Sequence, residues 1–261
     1  MGEGRGVELG GGYRHLALDT VGSTNAECLA RASAGEAGPL WVTANRQQSG
    51  RGRRGRLWVS EPGNLYASLL LTNPAPPACL GQLPMVVAVA LQQAAARATG
   101  QGERLRIKWP NDLLLDGMKV AGILLESQGL PDGRTVVVIG IGVNCRHAPE
   151  QSETPATSLA ACGLTVAPDI LFAHLVEAVD QALRAWRRGT DFARIRERWL
   201  AACRGLGDPI RVRLHDRELH GRFAALDRDG QLILELSEGH RETISAGDVF
   251  LLGPTTGPNR G

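Results

Sequence analysis

The stretch that decides the fold is LRIKWPNDLLLDGMKVAGILLESQGLPDGRTVVVIGIGVN, residues 105–144. It contains four apolar runs, Leu105–Trp109, Leu113–Leu115, Val120–Glu126 and Thr135–Val143, each too short for a helix and each closed by turn residues. Asp116-Gly117 and Asp132-Gly133 are hairpin signals, since an Asp-Gly pair tolerates the positive φ that a tight hairpin demands. The spacing therefore predicts a sheet of antiparallel neighbours. On the N-terminal side, Leu40–Ala44 and Leu65–Thr72 read as further strands. A helix is expected from Ser23-Thr24-Asn25, where Thr24 and Glu27 have capping-box spacing. Another follows Pro84, with Val86, Val87, Ala90, Leu91, Ala94 and Ala98 at helical intervals.

On the C-terminal side, Ile170, Leu171, Leu175, Val176, Val179, Leu183 and Trp186 share one helical face from Pro168, and a second helix runs through Phe192, Ile195 and Trp199. After Gly205 the texture changes to short alternating runs separated by turn chemistry. This predicts a small antiparallel barrel of about 45 residues, too small to stand alone without docking. The fold class expected is α+β: a mixed, largely antiparallel sheet with helices packed on it, occupying 1–205, then the small barrel at 206–253. Residues 1–12 and 254–261 read as flexible ends.

The chain has 261 residues, 29 Lys+Arg against 27 Asp+Glu, and 43% hydrophobic residues. That composition excludes disorder and collagen. No run approaches the roughly 18 consecutive apolar residues of a membrane helix, and the N-terminus lacks the apolar core of a secretory signal. Five cysteines, odd in number and without a C-x-x-C pair, argue against a disulfide framework or a zinc site and favour the reducing cytoplasm. A net charge of +2 gives no global case for nucleic acid.

Two clusters carry chemistry. Gln47 to Trp58 reads QQSGRGRRGRLW: four arginines alternate with glycines that let the backbone approach a ligand. Guanidinium forks and glycine amides both donate to phosphate oxygens. Mutual repulsion is expected to leave this loop disordered until an anion arrives. It matches neither a Walker A loop nor a dinucleotide fingerprint, and a solvated basic turn or RNA-contacting patch is the plainer alternative. The second cluster is Lys108-Trp109-Pro110-Asn111-Asp112 with Lys119 on the returning strand. Asn111 and Asp112 fix a turn or hold a hydrated Mg²⁺. Lys119 is a counter-charge for a carboxylate or phosphate, or else an edge-strand charge, and Gly122 admits a flat ligand. Gly140-Ile-Gly-Val-Asn144 has the small residues of a pocket floor. The six histidines show no metal-ligand spacing, and no serine or cysteine nucleophile motif is present.

Together, Ser23-Thr24-Asn25, Gln47–Trp58, Lys108–Leu124 and Gly140–Asn144 resemble biotin protein ligases, over roughly residues 14–252. The resemblance implies a class II aminoacyl-tRNA synthetase-like catalytic fold with an SH3-like C-terminal barrel. It implies an ATP-dependent enzyme that makes biotinyl-5′-AMP and passes biotin to a lysine of a biotin carboxyl carrier protein, with Mg²⁺ accompanying ATP. By the same resemblance, Ser23, Thr24, Asn25 and Gln47 hold the ureido end of biotin, with Gly122 part of its site. Arg51, Gly52 and Arg53 close over the adenylate. Lys119 binds the biotin carboxylate and α-phosphate, Asn111 and Asn144 adjoin the adenylate, and Asp112 supports the site or Mg²⁺. Catalysis falls to Lys119, Arg51 and Arg53. Because the Ser-Thr-Asn motif begins at residue 23, a ligase without an N-terminal DNA-binding domain is expected, as a monomer or weak homodimer. The segment 146–155, expected to cover the adenine, lacks an aromatic. A lipoate-type ligase and a nucleic-acid-binding module are the alternatives.

Overall fold

Asp116 and Gly117 both adopt positive φ, 51° and 83°, so the chain reverses there as the Asp-Gly signal requires. The computed structural model describes residues 5–252. The large sheet is built from β1 (Arg5–Glu8), β2 (Arg14–Val21), β3 (Leu40–Gln47), β4 (Leu65–Thr72), β5 (Leu105–Lys108), β6 (Asp112–Leu115), β7 (Met118–Gly129) and β8 (Thr135–Val143). Their spatial order is β1-β2-β3-β4-β8-β7-β6-β5. The β2/β3 pair is parallel, joined through α1 (Thr24–Ser33), and the other neighbours are antiparallel. The expected flexible start is thus corrected for residues 5–8, which pair with β2. Residues 1–4, and the tail expected at 254–261, lie outside the described residues.

Strand periodicity divides the burial of β8 between two faces. Val137, Ile139, Ile141 and Val143 join the main core with α2 (Leu83–Thr99) and α3 (Pro168–Trp186). Val136 and Val138 face the other way and pack with Cys28 and Ala32 of α1. That second face continues along β8 through Gly140 and Gly142, so a packed layer gives way to a strip without side chains. The register aligns Ser68 and Tyr66 of β4 with Gly140 and Gly142, and Leu124 and Gly122 of β7 with the same two glycines. A floor of this shape leaves room for a ligand.

The capping box expected at Thr24 and Glu27 does not form. Ser23 is the N-cap without a side-chain cap bond, the Thr24 amide donates instead to Gln47 Oε1 at 2.9 Å, and Glu27 turns to Arg31. Of the face predicted on α3, Ile170 is 52% exposed, at the helix start where no layer covers it. The stretch Pro77–Thr99 is long and apolar enough on average to cross a membrane, although Gly81, Gln82, Gln92, Gln93 and Arg97 interrupt it and no run of 18 consecutive apolar residues occurs. It is largely buried, with Leu83, Val86, Val87, Ala90, Leu91 and Ala94 inaccessible as the central core helix.

After α4 (Phe192–Ala202) the chain forms β9 (Pro209–Arg213), β10 (Glu218–Leu226), β11 (Leu232–Glu235), β12 (Arg241–Ile244) and β13 (Asp248–Leu251). The order is β12-β11-β10-β9-β13, all antiparallel, and the outer strands β12 and β13 do not pair with each other. The small antiparallel domain expected after residue 205 is thus present as five strands, with no ladder between β12 and β13 among the described residues. Its apolar face, including Ile210, Val212, Phe223 and Leu234, merges with the core of the large domain. Docking is anchored by Trp109, whose indole donates to Gly230 O at 3.1 Å, and by Lys108, whose Nζ donates to Val249 O at 3.2 Å.

Candidate adenylate-forming site

A cavity of about 400 Å³ opens over the glycine strip, within the usual size of a small-molecule site. At one end the polar groups are neutral and held by one another. Ser23, Thr24 and Asn25 begin α1, and Gln47 ends β3. Thr24 Oγ1 donates to Gln47 Oε1 at 3.1 Å, and Gln47 Nε2 donates to Ser60 Oγ at 2.9 Å. Ser68 Oγ lies 2.7 Å from Thr24 Oγ1 and 2.6 Å from Asn25 Oδ1, and Asn25 Nδ2 donates to Glu126 at 2.7 Å. Every member of this network is oriented by a neighbour, which makes a rigid donor and acceptor surface. Gly140 permits it: a Cβ there would stand 2.3 Å from Asn25 Oδ1.

At the other end the groups are cationic. Lys119, near the start of β7, is fixed by Lys119 N to Pro155 O at 2.8 Å and directs its Nζ to Asp112 Oδ1 at 2.6 Å. Asp112 also receives Lys108 Nζ at 3.2 Å. Burial alone would raise the Asp112 carboxyl, but the two ammonium groups outweigh it and hold it below the ordinary carboxylate range. Both its oxygens are thus taken by lysines rather than turned to an open cation position. Among the described residues, no group of three His, Cys, Asp or Glu side chains is gathered to hold a metal.

The arginine loop is gathered by carboxylates of the chain itself. Arg51 bridges backbone with Leu57 and pairs with Glu126 at 3.2 Å, and Arg54 and Arg56 pair with Asp248. These carboxylates lie 70 to almost 200 residues away in the chain, which is why the local sequence hides them. Arg53 differs. Its hydrogen-bond partners are the neutral oxygens Asn111 Oδ1 at 3.1 Å and Gly247 O at 3.3 Å, and burial pulls its guanidinium below the ordinary arginine range. Among the described residues no carboxylate lies within ion-pairing distance of it. Gly52 lies beside it on the cavity wall.

Trp58 closes the far side of the floor. A Cβ at Gly142 would meet its ring at 2.5 Å and one at Gly122 at 3.1 Å, and its buried indole N–H has no hydrogen-bond partner. Lys119 Nζ lies 5.5 Å above the ring. Asn144 is buried and donates from Nδ2 to Thr157 O at 3.0 Å. The segment 146–155 reaches the cavity through Pro149, Gln151, Ser152, Glu153 and Thr154.

All twelve residues singled out from the sequence, Ser23, Thr24, Asn25, Gln47, Arg51, Gly52, Arg53, Asn111, Asp112, Lys119, Gly122 and Asn144, line this one cavity. Sequence reasoning missed Ser68, Glu126, Ser60, Trp58 as part of the cavity floor, and the wall from Gly247 to Phe250. Ser68 was legible in retrospect as a lone hydroxyl in the apolar run Leu65–Leu71. The C-terminal wall had no local signal.

The sequence pattern of the Biotin/lipoate A/B protein ligase family matches residues 21–144, and that of the biotin protein ligase C-terminal domain matches residues 205–252. A biotin–[acetyl-CoA-carboxylase] ligase of Paracoccus denitrificans is 42% identical over 245 residues, covering 90% of this chain and 100% of that one. The chain belongs to the biotin protein ligase family. Another family member, the biotin–[acetyl-CoA-carboxylase] ligase of Mycobacterium tuberculosis, is 32% identical over 94% of this chain and 92% of its own. The Aquifex aeolicus biotin protein ligase in complex with biotin and ATP superposes with a TM-score of 0.77 at 26% identity, over 91% of this chain and 98% of that one.

Proposed function

We propose that the chain is an ATP-dependent biotin–[biotin carboxyl carrier protein] ligase. The observation that carries this reading is the polarity of this cavity: a fixed network of Thr24, Asn25, Gln47 and Ser68 at one end, with Arg51 neutralising the Glu126 behind it, and Arg53 and Lys119 at the other. Biotin has the matching polarity, a neutral ureido group at one end and a carboxylate at the other. The dithiolane of lipoate has no donor or acceptor to match this fixed polar surface, which disfavours the lipoate-type alternative. The Paracoccus relative is named for biotin, and the Aquifex structure holds biotin and ATP.

In the first step a biotin carboxylate oxygen attacks the α-phosphorus of ATP, and the bond to the departing pyrophosphate breaks. Two anions must approach, so Lys119, Arg53 and Arg51 offset their repulsion and the charge that moves to the leaving group. Lys119 can exchange Asp112 for the substrate oxygens without leaving its place. Mg²⁺ enters with ATP and neutralises its phosphates. Asn111 holds Arg53, and Asn144 holds the strand-to-loop corner beside the phosphate position. In the second step the ε-amine of the acceptor lysine attacks the acyl carbon of biotinyl-5′-AMP, an amide forms and AMP leaves. The loop 51–57 and Trp58 keep water from the mixed anhydride between the steps.

The catalytic part extends through residue 205, with the small sheet from 206 forming one wall of the site. The acceptor is the carrier domain of acetyl-CoA carboxylase or a related carboxylase. Nucleic acid is not a partner in this reading. The five free thiols suit the cytoplasm, and the protein works as a monomer or a weak homodimer. Biotin-dependent release of pyrophosphate from MgATP tests the first step; release with lipoate but not with biotin would overturn the assignment.

A further inference from the structure

The carboxylate that gathers the arginine loop belongs to the C-terminal sheet. Asp248 begins β13 and its side chain is 12% exposed, whereas its partners Arg54, Arg56 and Arg213 are 35–44% exposed. Arg54 Nη1 reaches it at 3.1 Å and Arg213 Nη2 at 3.3 Å, and Arg56 makes a closer contact. Arg213 of β9 also pairs with Glu153 at 2.7 Å, so the network spans the loop, the segment 146–155 and the C-terminal sheet. The residue before Asp248 completes the attachment, because Gly247 O accepts from Arg53. Arg54 sits at φ 57°, a left-handed conformation that a side chain rarely adopts without something to hold it. Burial would raise the Asp248 carboxyl, but Arg56, Arg213 and Arg54 keep it ionised, below the ordinary carboxylate range.

We propose that Asp248 is a latch: a positioning residue, supplied by the C-terminal sheet, that holds the arginine loop closed over the reaction intermediate through Arg54 and Arg56. Neither arginine needs to touch the substrate for this. By anchoring the chain immediately after Arg53, they fix the guanidinium that faces the cavity. Losing the latch lets the loop open, so that the acyl-adenylate escapes while the neutral end of the cavity still binds its ligand. The two part-exposed ion pairs lost together set the expected size of the effect, about fivefold to thirtyfold in loop opening.

The kinetic consequence rests on the adenylate-forming reading; the structural one does not, and the experiment reads both on the full-length protein. Asp248→Asn is compared with wild type and with the double variant Arg54→Gln/Arg56→Gln, which leaves the C-terminal sheet untouched. Without ligand, trypsin cleavage after Arg51 and Arg53 should accelerate about fivefold or more in both variants, at a melting temperature close to wild type. With biotin and MgATP, free biotinyl-adenylate should appear in solution faster by a similar factor and KM for ATP should rise, with the KM for biotin little changed. Adding Asp248→Asn to the double variant should do nothing more. Unchanged cleavage in Asp248→Asn, or effects that add in the triple variant, would overturn the latch. Accelerated cleavage in a wild-type protein that makes no adenylate would keep the latch and refute the adenylate reading instead. If Asp248→Asn fails to fold, the double variant alone decides.

Discussion

Gly140→Ala is the sharpest test of how the cavity's neutral end is built. The new methyl would stand 2.3 Å from Asn25 Oδ1, 3.0 Å from Cγ and 3.1 Å from Nδ2, so the whole amide must swing away rather than one atom yield. Asn25 lies in the first turn of α1 and cannot retreat with its backbone. The swing breaks two contacts, Ser68 Oγ at 2.6 Å and Glu126 at 2.7 Å. At about 1 kcal/mol each, their loss and the misdirected amide together weaken biotin binding by about 2 kcal/mol, roughly 30-fold in Kd. The assay is calorimetric titration with biotin, without ATP, beside a thermal scan. The expected result is the weakened Kd with a fall in Tm of only a few degrees, because strand pairing is untouched. A Kd within about twofold of wild type would refute the claim that Asn25 is fixed for ligand by this network.

Lys119→Met should reduce biotin-dependent pyrophosphate release by about 100-fold or more while biotin still binds, and pre-steady-state measurement of adenylate would show it. Asp112→Asn leaves two lysine ammonium groups facing each other without a counter-charge, so Tm should fall by an amount corresponding to about 3 kcal/mol near neutral pH. Because the folded-state Asp112 carboxyl lies below the ordinary range, its stabilisation is complete above about pH 4 and is lost as pH falls further. The gap between wild type and variant should therefore narrow in acid. Burial first, then the nearby Glu27, pushes the Cys28 thiol to about 12, and burial pushes Cys145 to about 11. Alkylation at pH 8 should spare both in the native protein and reach them after denaturation, as peptide mapping would reveal. Since Trp58 covers Gly122 and Gly142, ligand entry should change intrinsic fluorescence, a signal lost in Trp58→Phe.

The sheet was legible because its signals are local. Asp116-Gly117 sets a hairpin whatever surrounds it, and the run Thr135–Val143 is a strand in structure as in sequence. The cavity residues were legible for the same reason, since the motifs that carry them are short and charged or glycine-rich. What could not be read depends on distance in the chain. Nothing near Arg54 announces Asp248, and nothing near Asn25 announces Ser68 or Glu126. The burial of Pro77–Thr99 depends on partners in α3 and α4 that composition alone does not place. The order in which β9 to β13 pair is likewise a matter of tertiary geometry, because alternating runs of four or five residues do not say which run lies beside which.

The most direct test of the central claim is incorporation of labelled biotin into a biotin carboxyl carrier domain by this protein with MgATP, alongside a carrier whose acceptor lysine is replaced by arginine. The account predicts ATP-dependent labelling of the lysine-bearing domain and none of the replaced one. A protein that leaves both carriers unlabelled, and whose Tm biotin does not raise, would contradict it.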